Sequence, residues 1–133
     1  MVTEMVVKEA LTESMISAGA ELTSRLDEAG LPLTASLWFY DSDANDWRFI
    51  IATPEVDSEG VRAAYGKVQS IIEKTPEDKS IPLKHITVVD PHDPTISVLR
   101  LAVRTGDGIS RIRFSRNMIN STFIEDAYIY RLT

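Results

Sequence analysis

Cysteine is absent from the 133-residue chain, and histidine occurs only twice. The lack of thiols excludes a disulfide framework, a thiolate nucleophile, a cysteine-ligated zinc ion and an iron–sulfur cluster. Long apolar runs are missing too, since no stretch approaches the roughly 20 residues that a membrane-spanning helix needs. The first nine residues have no basic region followed by an apolar core, so we expect no signal peptide. These absences predict a cytoplasmic protein with no membrane contact.

Glycine and proline are scarce, with six of each, which excludes collagen-like and low-complexity architectures. The hydrophobic fraction of 44% is too high for a disordered chain and supplies a core for one domain of this length. No repeat, linker or shift in composition divides the sequence. We therefore expect residues 1–133 to form a single globular domain.

Apolar periodicity and turn residues predict helices and strands in the order αββαβαββ. The helices are expected at about Thr3–Ala29, from Asp57 or Ser58 to Lys74, and at Thr95–Thr105, where a strand is the alternative. The strands are expected at about Leu33–Tyr40, Trp47–Thr53, His85–Val89, Ile109–Arg116 and Phe123–Leu132, with a turn at Asn117–Ser121. Two strand–helix–strand crossovers in this order predict a mixed five-stranded sheet packed by about three helices. The fold class is α+β, or mixed α/β, in layers.

The first two strands form a predicted hairpin around the Asx-rich turn Asp41–Asp46. An even loop centred there pairs Tyr40 with Trp47 and Trp38 with Phe49, four aromatic residues on one face. The opposite face is apolar as well, with Leu33, Ala35, Leu37, Phe39, Ile50 and Ala52. Because both faces are apolar, both are expected to be covered, either inside the sheet or by a second copy of the chain. We expect the aromatic face to lie in the core, with a subunit interface as the alternative.

Basic charge is scarce overall, because 14 basic residues face 20 acidic ones and the net charge is −6. Such a chain is a poor generic binder of nucleic acid or anionic membranes. Residues 96–117 depart from this balance, with one aspartate and five arginines: Arg100, Arg104, Arg111, Arg113 and Arg116.

The arginines fall into groups that share a face. Arg100 and Arg104 are four residues apart on a predicted helix, and Arg111 and Arg113 alternate along the following strand. Guanidinium groups bind phosphate oxygens in pairs, so this cluster is a candidate site for nucleic acid or a phosphorylated ligand.

Two neighbouring pairs of residues decide between this site and a structural role. Tyr128 and Tyr130 on the last strand would offer a stacking surface for bases. Glu125 and Asp126, or acids of the first helix, would instead neutralise the arginines within the fold or across a dimer.

His85, Asp90, His92 and Asp93 form a cluster of imidazoles and carboxylates. Such groups suit a divalent metal or an acid–base pair, which makes a metal-dependent enzyme the second alternative. Their spacing corresponds to no established ligand motif, and no Walker loop, dinucleotide fingerprint or nucleophile elbow occurs. We expect no cofactor.

The sequence thus favours a small, non-catalytic accessory or interaction protein that binds itself, as a homodimer, or another protein. Binding of nucleic acid or a phosphorylated ligand through the arginines of residues 100–116 is the first alternative. A metal-dependent enzyme built on His85, Asp90 and His92 is the second.

Overall fold

The computed structural model describes residues 9–133 and contains a mixed five-stranded sheet with helices against both faces. The helices are α1 (Glu13–Glu28), α2 (Glu55–Glu59), α3 (Val61–Glu73) and α4 (Pro94–Arg100), with short 3₁₀ turns at Glu77–Lys79 and Leu83–His85. The strands are β1 (Ala35–Asp41), β2 (Asp46–Ala52), β3 (Ile86–Val89), β4 (Ile112–Ile119) and β5 (Thr122–Leu132). The predicted α+β fold is confirmed.

The strands lie in the order β3-β2-β1-β5-β4. β2 and β3 are parallel, and the other three neighbouring pairs are antiparallel. The connection through α2 and α3 joins the two parallel neighbours. The connection through α4 instead crosses the whole sheet, from the edge strand β3 to the opposite edge strand β4. One of the two predicted crossovers is therefore a βαβ unit, and the other links the two edges.

The register of the first hairpin is confirmed, since Tyr40 pairs with Trp47 and Trp38 with Phe49. The Trp38 and Phe49 rings stack at 5.1 Å between centroids, and Tyr40 meets Trp47 edge to face at 5.3 Å. This face is buried together with apolar side chains of α1 and α3. The aromatic set therefore belongs to the core, as predicted.

The second face of the hairpin is covered within the same chain. Ala35, Leu37 and Ile50 share a buried cluster with Ile96 and Leu99 of α4. Leu33, expected on this face, joins the opposite cluster. Because α4 fills the second face, the hairpin gives no reason to expect a subunit interface there.

α1 is shorter than predicted. It begins at Glu13, and the hydroxyl of Thr12 caps it by accepting a hydrogen bond from the Met15 amide at 3.1 Å. Residues 9–12 are not helical, and the expected start at Thr3 lies outside the described residues. The backbone carbonyl of Glu9 accepts a hydrogen bond from the indole of Trp47 at 2.7 Å. The periodic apolar residues predicted a helix through residues 9–12, whereas this segment is held by a hydrogen bond to the first hairpin.

The second predicted helix is interrupted at Gly60, which separates α2 from α3. Its φ of +92° lies in a region that glycine adopts readily and other residues rarely do. The third predicted helix is confirmed as a helix, but α4 ends at Arg100, before the expected Thr105.

The last hairpin turns at two residues, Asn120 and Ser121, with φ of +48° and +70°. Two consecutive positive φ angles are the geometry of a type I′ turn. The five-residue turn predicted at Asn117–Ser121 is therefore wrong. β4 consequently runs over Ile112–Ile119 and not over Ile109–Arg116.

Candidate functional site: the arginines and the β4 edge

Arg100 is bonded to the backbone of its own chain. Its Nε donates to the Thr133 carbonyl at 2.8 Å, and one terminal nitrogen donates to the Pro91 carbonyl at 3.1 Å. The side chain is half-buried beside α4. It therefore ties the C-terminal strand to the loop before α4.

Arg113 holds a buried carboxylate. Its guanidinium donates two hydrogen bonds to Asp126, at 2.7 and 2.5 Å, and the Ser115 hydroxyl donates a third at 2.8 Å. Asp126 is 1% exposed, whereas the Arg113 side chain is 45% exposed. The hydrogen bonds to Asp126 raise the pKa of Arg113, so its charge is fixed at any ordinary pH.

The three remaining arginines are exposed. The Arg116 side chain is 76% exposed, and its Nε lies 3.7 Å from the Glu125 carboxylate, a loose pair. Arg104 and Arg111 have no hydrogen bond or ion pair within residues 9–133. Arg100 belongs with α4 on one face, whereas the guanidinium of Arg113 lies 5.9 Å from the Trp47 ring on the other. The five arginines therefore do not converge on one surface.

The two tyrosines do not form a stacking platform. Tyr130 is fully buried, and its hydroxyl donates to the Ile16 carbonyl at 2.6 Å. Burial raises the pKa of this hydroxyl well above its ordinary value of 10. Tyr128 is half-buried with its ring centroid 5.3 Å from that of Tyr130.

The histidines of the metal-site alternative lie at opposite ends of β3. His85 precedes the strand, and Asp90 and His92 follow it. Four extended residues separate them by roughly 13 Å along the strand. The Asp90 carboxylate accepts a hydrogen bond from the His92 amide at 2.6 Å, which closes a local turn. Within residues 9–133, no group of three or more metal-ligating side chains could hold an ion.

Within residues 9–133, an open sheet edge is the feature that sequence reasoning missed. β4 is a terminal strand of eight residues, with β5 on its inner side. Met118 and Phe123 face each other across this hairpin and are 59% and 54% exposed. The misplaced turn put Met118 in a loop, so this apolar pair had no predicted neighbour.

Comparison of the chain with models of protein families, with curated proteins and with solved structures finds no significant match. In the part of the chain that the structure describes, no helix is both long and apolar enough to span a membrane.

Proposed function

We propose that this protein is a non-catalytic interaction module that accepts an extended, acidic segment of a partner protein as an added strand along β4. The observation that supports it is the open edge itself. The strand has eight residues and contains no proline, and its extended backbone is interrupted at one position, Arg116, whose φ is +46°. A row of unpaired backbone N–H and C=O groups is a template for another strand, and proteins use it for peptide recognition.

Charge favours an acidic occupant. Residues 111–119 carry three arginines and no acidic residue, in a chain whose net charge is −6. Arg111 has no partner within residues 9–133, and the pair of Arg116 with Glu125 is loose and exposed. Both guanidinium groups are therefore available to carboxylates of an incoming strand, whereas Arg113 stays with Asp126.

The same charge argues against a second copy of β4 as the occupant. Two β4 strands side by side would bring Arg111 and Arg116 of both copies together, and like charges on adjacent strands are destabilising. The homodimer expected from the sequence stays a prediction that light scattering tests. We propose the cytoplasm as its location, with which the lack of a membrane-spanning helix in residues 9–133 agrees.

The exposed pair of Met118 and Phe123 adds an apolar contact at the turn end of the hairpin. An apolar residue in the incoming segment would cover it, since main-chain hydrogen bonds give affinity and alternate side chains give specificity. The proposed partner segment is thus acidic along its length and apolar at the end that meets the β4–β5 turn.

A labelled eight-residue peptide of alternating glutamate and valine tests the proposal by fluorescence anisotropy. The matched control is the same peptide with lysine in place of glutamate. We expect the glutamate peptide to bind at least about tenfold more tightly, and added salt to reduce the difference. Equal affinities, or no binding of either peptide, would contradict the proposal.

Arg111→Glu should weaken the binding of the glutamate peptide by about tenfold, because a carboxylate at position 111 repels the glutamates that the arginine attracts. Arg62→Glu, at an exposed arginine in the first turn of α3, is the matched control and should leave binding unchanged. Equal losses in both variants would indicate attraction to net charge and not to β4. The phosphate-binding alternative would be favoured if an oligonucleotide bound more tightly than the peptide and Arg111→Glu abolished that binding.

A further inference from the structure

The two faces of β4 differ in polarity beside the open edge. On the side covered by α4, Ile112 and Phe114 are half-buried and pack against the buried cluster of that face. On the side covered by α1, Arg113 and Ser115 bond to the same buried carboxylate, and the Arg113 guanidinium lies 5.9 Å from the Trp47 ring. Successive side chains of a strand point to opposite faces. The first half of β4 therefore has an apolar face towards α4 and a polar face towards α1.

Unpaired positive charge lies on the polar side. Arg111 is two residues before Arg113, so the alternation of the strand places both on the α1 side. The Tyr130 hydroxyl is on that side too, since it donates to a carbonyl of α1. Burial raises the pKa of this hydroxyl, and the nearby charge of Arg111 acts in the opposite sense. Carboxylates of an incoming strand therefore meet the Arg111 guanidinium on the α1 side.

Exposed apolar surface is concentrated around β4. Within residues 9–133, five large apolar side chains are exposed, and four of them belong to residues 101–123: Leu101, Ile109, Met118 and Phe123. The helix on this side of the sheet, α4, has only seven residues, and Ile112 and Phe114 stay half-buried beside it. Exposed apolar surface gathered in one region marks an interaction site. An incoming strand thus has apolar neighbours on the α4 side.

We propose that the segment accepted by β4 is amphipathic with a period of two residues, with its carboxylates on the α1 side and its apolar side chains on the α4 side. This inference rests on the function proposed above and specifies the partner. Side chains on the same face of neighbouring strands contact each other, so the carboxylates lie beside Arg111 and the apolar side chains beside Ile112 and Phe114.

The pattern also fixes the register of the added strand. A shift by one residue would place carboxylates against the apolar side chains of Ile112 and Phe114. The strand is interrupted at Arg116, whose φ is +46°, so the pattern is read by residues 112–115.

Two peptides of identical composition test the pattern by fluorescence anisotropy. One is the alternating glutamate–valine peptide, and the other has the same eight residues rearranged as Glu-Glu-Val-Val, repeated twice. Attraction to net charge cannot distinguish them. We expect the alternating peptide to bind at least about tenfold more tightly, because only its valines all lie on one face of a strand.

Equal affinities of the two arrangements would overturn this inference and leave the preference for glutamate over lysine, on which the proposed function depends, intact. Absence of binding by both peptides would overturn the inference and the proposed function together.

A glutamate–threonine peptide tests the apolar contact, since threonine keeps the charge pattern and the β-branched shape but carries a hydroxyl. We expect the protein to bind the glutamate–valine peptide at least about fivefold more tightly. Ile112→Thr should reduce this ratio to about half or less, because it removes apolar surface on the α4 side. Val61→Thr, at the exposed apolar residue that begins α3, is the matched control and should keep the ratio.

Each ratio compares two peptides on one protein sample, so a partial loss of stability in a variant affects both peptides alike. An unchanged ratio in Ile112→Thr, or an equal reduction in Val61→Thr, would overturn the inference.

Discussion

The two edges of the sheet are protected in different ways. β3 has four residues, and the hydroxyl of Tyr65 accepts a hydrogen bond from its Val88 amide at 3.0 Å. Arg48, from β2, donates to the carbonyls of Lys84 and Ile86 at 2.7 and 3.2 Å. β4 has eight residues, and within residues 9–133 no side chain of another element is bonded to its main chain. We call the β3 edge closed, because the Tyr65 hydroxyl is bonded to its main chain. We call the β4 edge open, because no side chain of another described element is bonded to its main chain.

The open β4 edge is flanked by arginines, whereas the closed β3 edge is bonded to the Tyr65 side chain. Repulsion between arginines opposes pairing of β4 with a second copy, which is how natural proteins guard exposed strands. Hydrogen bonds that cap an edge exclude every partner, whereas charge excludes only partners of the same sign. An edge guarded by arginines therefore remains selective for an acidic strand.

Arg113→Ala should have the largest effect on stability, because Arg113 joins β4 to Asp126 of β5. The change leaves the buried Asp126 carboxylate without its two guanidinium hydrogen bonds. Loss of one partner of a buried ion pair costs about 3–5 kcal/mol, and the half-exposed position of Arg113 reduces the expected loss to about 2 kcal/mol. Urea unfolding measures it.

Arg116→Ala is the control on the same strand and should change the free energy of unfolding by less than about 0.5 kcal/mol. A loss of similar size in both variants would show that β4 depends on its arginines in general. A negligible loss in Arg113→Ala would place that guanidinium among the groups open to a ligand.

The hairpin of β1 and β2 could be predicted from the sequence. The register of the first hairpin follows from its turn residues and from the aromatic residues that alternate on either side, because a shift by one residue would reverse both faces. Trp38 opposite Phe49 is the clearest case. Local turn chemistry and hydrophobic alternation agree there, and nothing distant is needed.

The β4 edge could not be predicted in the same way. The order of strands depends on contacts between residues far apart in sequence, such as the pairing of β1 with β5. The partner of Arg113 depends on the register of the last hairpin, which two residues in the left-handed region decide. The predicted turn at 117–121 would have put Asp126 opposite Ile112, whereas Ser115 is its observed partner. Asp126 is one of the acids expected from the sequence to neutralise the arginines, but an error of three residues places it on the opposite face from Arg113.

Tyr65→Phe is expected to have a smaller effect, by opening the closed edge. It removes the hydroxyl that accepts from the Val88 amide and should cost about 1 kcal/mol. Hydrogen exchange of that amide should accelerate by about fivefold, because a bond of this strength protects it from local opening. Unchanged exchange would mean that β3 is protected by its short length and not by Tyr65. The acidic peptide should still bind at β4, because this change leaves Arg111 and Arg116 untouched.

Arg111→Ala should have the smallest effect on stability and the most informative one on binding. The side chain is exposed and has no hydrogen bond or ion pair in the described part of the chain, so the free energy of unfolding should change by less than about 0.5 kcal/mol. The glutamate–valine peptide should nevertheless bind several-fold more weakly, because the edge loses its unpaired positive charge. Thermal unfolding and peptide anisotropy on the same sample separate the two effects. A stability loss as large as that of Arg113→Ala would mean that Arg111 also supports the fold, and β4 would then lose the feature that distinguishes it from a closed edge.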